Sequence, residues 1–215
     1  NKEYIYYYLN INKVTHIHAT PKFLEQHSFN KLKNLKRIIS GGEILGVECY
    51  KKITSKNILM INEYGPTETT ITSVANLFLN HNLCIGTPIN NTKCYILDFT
   101  LTPLPIGAIG ELYIGGVGLA RGYLNHADLT ASMFIANPFQ TKQERLQNKN
   151  VRLYKTGDLV RWLPDGNIEY IGRNDFQVKI RGYRIELGEI EAVLLSFPGI
   201  KQSVVLAKEK ADLDN

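Results

Sequence analysis

Cysteine is scarce and scattered: Cys49, Cys84 and Cys94 are too few for a disulfide framework and lack the paired spacing of a zinc site. They fit a reducing compartment, each as a small core residue. No run of about 18 apolar residues occurs, so no segment is expected to span a membrane. No secretory leader is legible at the N-terminus, and a cytoplasmic location is expected. The single Trp162 and the five His suggest no metal cluster, and no Ser/His/Asp arrangement is legible. A G-x-x-x-x-G-K phosphate loop is also missing. The first residues, Asn1-Lys2-Glu3, include no Met, and the last, Asp214-Asn215, follow a strand-like stretch; both ends read as cut from a longer chain.

The 44% hydrophobic and 21% charged composition is that of a globular chain with a sizeable core. At 215 residues it could fill one large domain or one and a half small ones. The formal net charge of +5 raises nucleic acid as a partner. Yet the basic residues are interleaved with Asp and Glu, and the clusters Lys31 to Lys36 and Lys179 to Arg184 are short and interrupted. A mildly basic surface is expected, with no nucleic acid and no membrane as partner.

Along the first third, strand-like and helix-like stretches alternate. Val14 to Ala19, Leu35 to Ser40 and Ile58 to Ile61 read as strands; Pro21 to about Phe29 and Glu43 to Thr54 read as helices. This order predicts parallel βαβ units, whose ligands sit beyond the carboxyl ends of the strands. His18, Ser40 and Glu63 lie at or just past those ends. They either converge on one pocket or are three unrelated loop residues, and the pattern alone does not choose.

From about Ile85 to Gly172 the texture is β-rich. Lys93 to Leu97 and Glu111 to Ile114 read as strands, the second with Leu112 and Ile114 on one face, and Thr141 to Asn150 reads as a polar surface loop. Val160 to Leu163 and Ile168 to Ile171 form a hairpin across Pro164-Asp165-Gly166-Asn167. Beyond Gly172, Gln177 to Glu186 alternates as a strand pair around Gly182. A helix opening at Gly188 then carries Ile190, Val193, Leu194 and Phe197 at i, i+3, i+4 and i+7. Pro198-Gly199 ends it, and Val204 to Ala207 reads as a strand. The fold class expected is α/β and α+β: a parallel βαβ core, a β-rich, barrel-like subdomain, and the start of a small α+β C-terminal domain. The domains are drawn at 1–174 (1–84 α/β, 85–174 β-rich) and 175–215.

Several short segments could carry chemistry. Asn62 to Thr70 follows a strand and turns at Gly65-Pro66. Its hydroxyls could meet anionic oxygens, Tyr64 could stack on a base, and Glu68 is the hard ligand Mg²⁺ prefers beside a nucleotide phosphate. A capped helix start is the plainer account of so many threonines. In Tyr154-Lys155-Thr156-Gly157-Asp158 a carboxylate next to Gly could accept from both hydroxyls of a ribose, or be a simple turn Asp. Gly115-Gly116-Val117-Gly118 is read as a tight loop, since no helix opens after it.

Taken in order, four segments resemble the adenylation domains of nonribosomal peptide synthetases, in the adenylate-forming, AMP-binding superfamily. They are Asn62-Glu63-Tyr64-Gly65-Pro66-Thr67-Glu68; Gly110 to Gly116 running on to Ala120-Arg121-Gly122-Tyr123-Leu124; Tyr154 to Leu159; and Gly172-Arg173-Asn174-Asp175-Phe176-Gln177-Val178-Lys179-Ile180-Arg181-Gly182 through Glu191. The resemblance covers nearly the whole chain from about Val14 and implies activation of an amino acid with ATP and Mg²⁺ as an aminoacyl-adenylate. Transfer to the phosphopantetheine thiol of a peptidyl carrier domain would follow, with a condensation domain expected in the same chain. It further implies a nucleotide site of Gly41, Gly42, Asn62, Tyr64, Gly65, Thr67, Asp158, Tyr170 and Arg173, with Tyr64 and Tyr170 flanking adenine, Thr67 at the α-phosphate and Asp158 at the ribose.

Thr67, Glu68 and Lys179 would be the catalytic residues, Glu68 the metal ligand and Asp175 the hinge. His18, Ile38, Ser40, Glu63, Ile71 and Thr72 would line the substrate pocket, whose polarity favours a polar amino acid; Glu63 suggests a cationic or hydrogen-bond-donating one. The family's glycine-rich phosphate loop and amino-group Asp would lie before Asn1, and its adenylation lysine beyond Asn215. The fragment alone is therefore expected to be inactive. The alternatives are an acyl-CoA or aryl-acid ligase of the same superfamily, or a binding scaffold that kept the fold.

Overall fold

The computed structural model describes residues 2–54, 58–77, 84–180 and 182–208. It divides into two compact units, Asn1–Asn174 and Asp175–Asn215. The larger opens with α1 (Lys2–Ile11) and β1 (His16–Ala19), then α2 (Pro21–Glu25), β2 (Arg37–Gly41), α3 (Val47–Thr54) and β3 (Leu59–Tyr64). β1, β2 and β3 are parallel neighbours, with Ile17 level with Ile38 and Ile38 level with Met60. The expected βαβ order is present. β4 (Val74–Asn76) and β5 (Thr87–Pro88) extend the sheet antiparallel. Ile38 and Met60 face a core closed by Leu24 of α2 and by Cys49, Tyr50 and Ile53 of α3.

Three boundaries depart from the sequence reading. α1 was not anticipated, because its tyrosine-rich stretch has weak helix propensity; packing of Tyr6 and Leu9 on the core holds it. α2 is capped by Thr20 as expected of a Thr-Pro start, but stops at Glu25. Ser28 turns to extended backbone, and its N–H donates to Tyr6 Oη at 2.5 Å. α3 opens four residues late, at Val47, after Gly46, a poor helix former.

The second sheet is built from β6 (Thr92–Leu97), β7 (Gly110–Gly116), β8 (Phe134–Ala136), β9 (Arg152–Trp162) and β10 (Ile168–Arg173). Its order is β10-β9-β7-β6, with β8 also on β9. The strand alternation of β7 sorts its side chains: Leu112 and Ile114 join Val160 and Ile168 in one core, while Tyr113 joins Leu97 and Leu153 on the other face. The β9–β10 hairpin forms where its turn residues place it. Two short helices, α4 (Ala127–Met133) and α5 (Lys142–Leu146), interrupt the strands. α5 corrects the expected loop at 141–150: Thr141 and Glu144 form a reciprocal capping box, and Lys93 Nζ binds Glu144 Oε1 at 2.6 Å.

The smaller unit holds the hairpin of β11 (Gln177–Ile180) and β12 (Tyr183–Glu186), then α6 (Leu187–Leu195). The expected strand at 204–207 is not formed: residues 201–208 carry no regular structure. There Val205 N–H donates to Glu191 Oε1 at 2.8 Å. No helix among the described residues is long and apolar enough to cross a membrane.

The two sheets of the larger unit share a core of Tyr64, Val74 and Ile85 against Ile96, Leu112, Ile114, Val160 and Ile168. Their backbones are joined by Ile85 N–H to Ile168 O (2.9 Å) and Ile168 N–H to Gly86 O (2.7 Å). Gly86 sits at φ +100°, and a Cβ there would stand 2.0 Å from Ala75 O. Gly86→Ala is therefore expected to cost at least about 2 kcal/mol, read by denaturant unfolding, with amide-exchange protection lost at Ile85 and Ile168 together. Unchanged protection there would mean that Gly86 does not hold the junction.

Candidate active site

Asp158 is the most completely enclosed carboxylate of the site. It lies within β9, not at a turn, with its side chain 8% exposed. Tyr64 Oη donates to its Oδ2, and Arg173 Nη1 donates to Oδ1 at 2.9 Å. Its own N–H donates to Thr156 Oγ1 (3.0 Å), which in turn donates to Leu112 O (2.7 Å). Tyr64 ends β3 of the first sheet, and Asp158 and Arg173 face each other across β9 and β10 of the second. Tyr170 stands 6.5 Å from Tyr64 between ring centroids, tilted by 40°. The two rings are neighbours within the range of interacting aromatic pairs.

Beyond Tyr64 the chain reverses. Ser73 N–H donates back to Tyr64 O at 2.9 Å, and a Cβ on Gly65 would stand 2.1 Å from Ile71 O. Thr67–Thr69 form a single 3-10 turn with Pro66, not a threonine, at its cap and no side-chain capping bond. The turn then takes two left-handed non-glycine residues, Thr70 (φ +62°) and Ile71 (φ +65°); for β-branched side chains that is strained backbone. Thr67 is exposed, while Glu68 is buried at 7% exposure. Tyr123 Oη donates to Glu68 Oε1 at 2.6 Å. Burial, then the bonds to Glu68 and Tyr154, push the Tyr123 phenol far above its ordinary value, so it stays a donor.

On the other side of Tyr64, Glu63 Oε1 meets His18 Nε2 at 2.5 Å and its Oε2 accepts from Thr72 Oγ1 at 2.8 Å. These three expected pocket residues come together. Ile38 and Ser40 do not join them, for a reason of strand geometry. Ser40 is level with Ala19 and Asn62, whereas Glu63 is level with Gly41. Since alternate residues face opposite sides of a sheet, Ser40 shares the face of Ile38 and Met60. There its Oγ is fully buried without a hydrogen-bond partner. Ile71 is turned outward, 63% exposed. Gly41 closes β2 against Glu63, Gly42 lies beside Thr20, and Asn62 Nδ2 is occupied by Cys84 O at 3.2 Å. A cleft of about 400 Å³ between α1 and β1, lined by Ile5, Leu9, Ile17, His18 and Phe23, touches the expected site only at His18.

In the smaller unit, Asp175 and Lys179 are exposed, and Asp175 Oδ1 accepts from Gln177 N–H at 3.1 Å. Arg181 lies outside the described residues. Among the described residues no group of three or more His, Cys, Asp or Glu gathers. A single buried carboxylate such as Glu68 fits Mg²⁺ held chiefly through substrate phosphates, not in an all-protein cage. Sequence reasoning overlooked Tyr123 as a site residue, although it stands inside one of the four quoted segments.

The site thus sets a buried carboxylate beside two tyrosines, next to a hydroxyl-rich turn. The AMP-binding enzyme family model matches residues 2–124, more than half of the chain, and the chain belongs to that family. It is 50% identical over 209 residues to N-(5-amino-5-carboxypentanoyl)-L-cysteinyl-D-valine synthase of Amycolatopsis lactamdurans, covering 95% of this chain and 6% of that protein. Bacitracin synthase 3 of Bacillus licheniformis is 47% identical over 206 residues, covering 95% of this chain and 3% of its own length. Among solved structures, a holo NRPS protein containing adenylation and PCP domains, bound to a vinylsulfonamide inhibitor, superposes with a TM-score of 0.83 at 27% identity. It covers 94% of this chain and 36% of that one. The chain thus spans a small part of the peptide synthetases it matches, and its mixed α/β architecture is theirs.

Buried acids outside the ion pairs set the alkaline limit of the fold. Burial, then the neighbouring Asp158 charge, hold the Tyr64 phenol well above its ordinary value. Burial alone pushes the Cys94 thiol up from 9.0 to about 12. Both groups bind their proton more tightly when folded, so their contribution is complete below the unfolded values and is lost as pH rises past them. Stability should fall from about pH 9 upward, by about 1.4 kcal/mol per pH unit for each such group. In Cys94→Ala the fall between pH 9 and 12 should be shallower. Equal slopes in pH-dependent urea unfolding would remove Cys94 from this account.

Proposed function

We propose that the chain is the nucleotide- and substrate-facing portion of an enzyme that activates an amino acid with ATP in nonribosomal peptide synthesis. In the first step a carboxylate oxygen of the amino acid attacks the α-phosphorus of ATP, forming the acyl-adenylate and releasing pyrophosphate. In the second, the phosphopantetheine sulfur of a peptidyl carrier domain attacks the acyl carbon, its thiol proton is lost, and AMP leaves. Asp158 carries the reading. A carboxylate accepts up to about four hydrogen bonds, so one already oriented by Tyr64 and Arg173 suits the two hydroxyls of a ribose. Tyr170 and Tyr64 offer aromatic surface to the base, with Gly41, Gly42, Asn62 and Gly65 forming close backbone around it.

Thr67, exposed at the start of the turn, meets the α-phosphate. Mg²⁺, held by Glu68, would neutralise charge developing on the phosphates. Asp175 is the hinge of a small mobile domain beginning there, and Lys179 acts from that domain in thioester formation. The larger unit is the C-terminal part of the adenylation core. A condensation domain accompanies it in the same chain, and the enzyme works in the cytoplasm.

The side-chain end of the pocket is built on His18, Glu63 and Thr72. His18 Nε2 already occupies Glu63 Oε1. This favours a hydrogen-bonding polar substrate side chain over a cation, which would have to displace His18.

Amino-acid-dependent ATP–pyrophosphate exchange by the full parent protein tests both levels. Exchange with one amino acid, reduced at least about a hundredfold in Asp158→Ala, is the expected result. Exchange only with aryl or fatty acids would move the enzyme to the acyl-CoA and aryl-acid ligases, and none at all would favour a non-catalytic scaffold. Glu63→Ala should alter the order of preferred amino acids; an unchanged order would remove Glu63 from substrate choice.

A further inference from the structure

We propose that Tyr123 is a positioning residue: it fixes the Glu68 carboxylate for the divalent cation that accompanies the nucleotide. The proposal rests on the assignment of Glu68 as a metal ligand in the adenylation reading above. Its basis is the way the loop after β7 is fastened to the turn after β3.

The two segments are joined at three points that do not involve the Tyr123 ring. Ala120 N–H donates to Glu68 O at 2.8 Å. Thr70 Oγ1 donates to Gly118 O at 2.7 Å. The backbones touch at Gly118, where a Cβ would stand 2.8 Å from Thr69 O. Tyr123 is anchored separately. Its N–H donates to Thr130 Oγ1 at 2.9 Å, and its ring meets Phe134 edge-on at 5.8 Å. Arg152 holds the same loop from behind, donating to the carbonyls of Arg121 (2.9 Å) and Ala120 (3.0 Å), with its guanidinium 5.2 Å over the Phe134 ring.

The phenol that reaches Glu68 Oε1 at 2.6 Å therefore comes from a frame that does not depend on that bond. Glutamate has three rotatable side-chain bonds, and a ligand carboxylate left to sample them presents its oxygens less often in the binding orientation. Hydrogen-bonded partners of metal ligands hold that orientation, and their removal commonly weakens metal affinity by about 10–100-fold.

The test compares the full parent protein with its Tyr123→Phe variant, which keeps the ring on Phe134 and the three contacts between the segments. Mn²⁺ binding in the presence of a non-hydrolysable ATP analogue, followed by electron paramagnetic resonance, should weaken about tenfold. The Mg²⁺ concentration needed for half-maximal ATP–pyrophosphate exchange should rise in parallel. Affinity for the analogue without metal should stay at the wild-type value. Glu68→Gln should show the same loss, and Tyr123→Phe added to it should cause no more, as expected of two residues acting through one interaction.

Wild-type Mn²⁺ affinity in Tyr123→Phe would overturn the proposal. So would an equal fall in metal-free nucleotide affinity, because Tyr123 would then support the whole site, or a wild-type protein that binds no metal with the analogue. Weakened Mn²⁺ binding in a protein whose wild type exchanges no carboxylate would keep the positioning role and reject the adenylation reading instead.

Discussion

The buried charge of Asp158 is the constraint around which the larger unit is arranged. A carboxylate removed from water is costly unless it is paired and hydrogen-bonded, and here its partners come from distant parts of the chain. Tyr64 closes β3, 94 residues away in sequence, and Arg173 closes β10. Holding both in place requires that the first sheet stop at Tyr64 where the second presents β9. The shared core of Val74, Ile85, Leu112, Val160 and Ile168 performs that alignment. The Ile85–Ile168 and Ile168–Gly86 bonds fix its register. A substitution that loosens this core would also separate the groups that neutralise Asp158, so stability and site geometry are coupled there.

Local pattern and topology rule were enough for the main strands and their pairing. The parallel order of β1 to β3, the Leu112/Ile114 face, the Pro164–Asn167 turn and the β11–β12 pair all follow from periodicity and turn chemistry within a few residues. What escaped notice depended on partners far away. α1 forms because Tyr6 and Leu9 find a core, and α2 ends where Tyr6 captures the Ser28 amide. At α5 the failure was of another kind. The Thr141–Glu144 capping box was legible, but its polar setting reads as loop unless Lys93 is known to be opposite. Of the candidate site, Glu63, Tyr64, Glu68 and Asp158 stand inside the quoted segments, as does Tyr123. Nothing in the sequence indicates that Tyr123 meets Glu68 across 55 residues.

The expectation that His18, Ser40 and Glu63 converge shows where pattern reasoning stops. Lying at the ends of three adjacent parallel strands brings residues to one edge of a sheet, but the two-residue pleat decides which face each one takes. Register settles that only once it is known: Ser40 opposite Asn62, and Gly41 opposite Glu63. His18 and Glu63 meet on one side, while the buried, unpartnered Ser40 hydroxyl stays with Ile38 on the other. A pocket using all of them must therefore reach around the strand ends.

The turn from Tyr64 to Ser73 makes both halves of the site possible and bears the conformational cost. Two successive left-handed β-branched residues, Thr70 and Ile71, are costly by about 1–3 kcal/mol each, and they return Thr72 to Glu63. The bonds that offset this cost are Ser73 to Tyr64 and Thr69 to Ser73 within the turn, and Thr70 to Gly118 of the loop after β7. None of them uses the side chain of Glu63. Position 63 can therefore change its chemistry without releasing the strain, whereas Gly65 cannot gain even a Cβ, with Ile71 O at 2.1 Å. A single turn thus holds a variable contact and a rigid one side by side. Position 63 can change while Tyr64 stays bonded to Asp158.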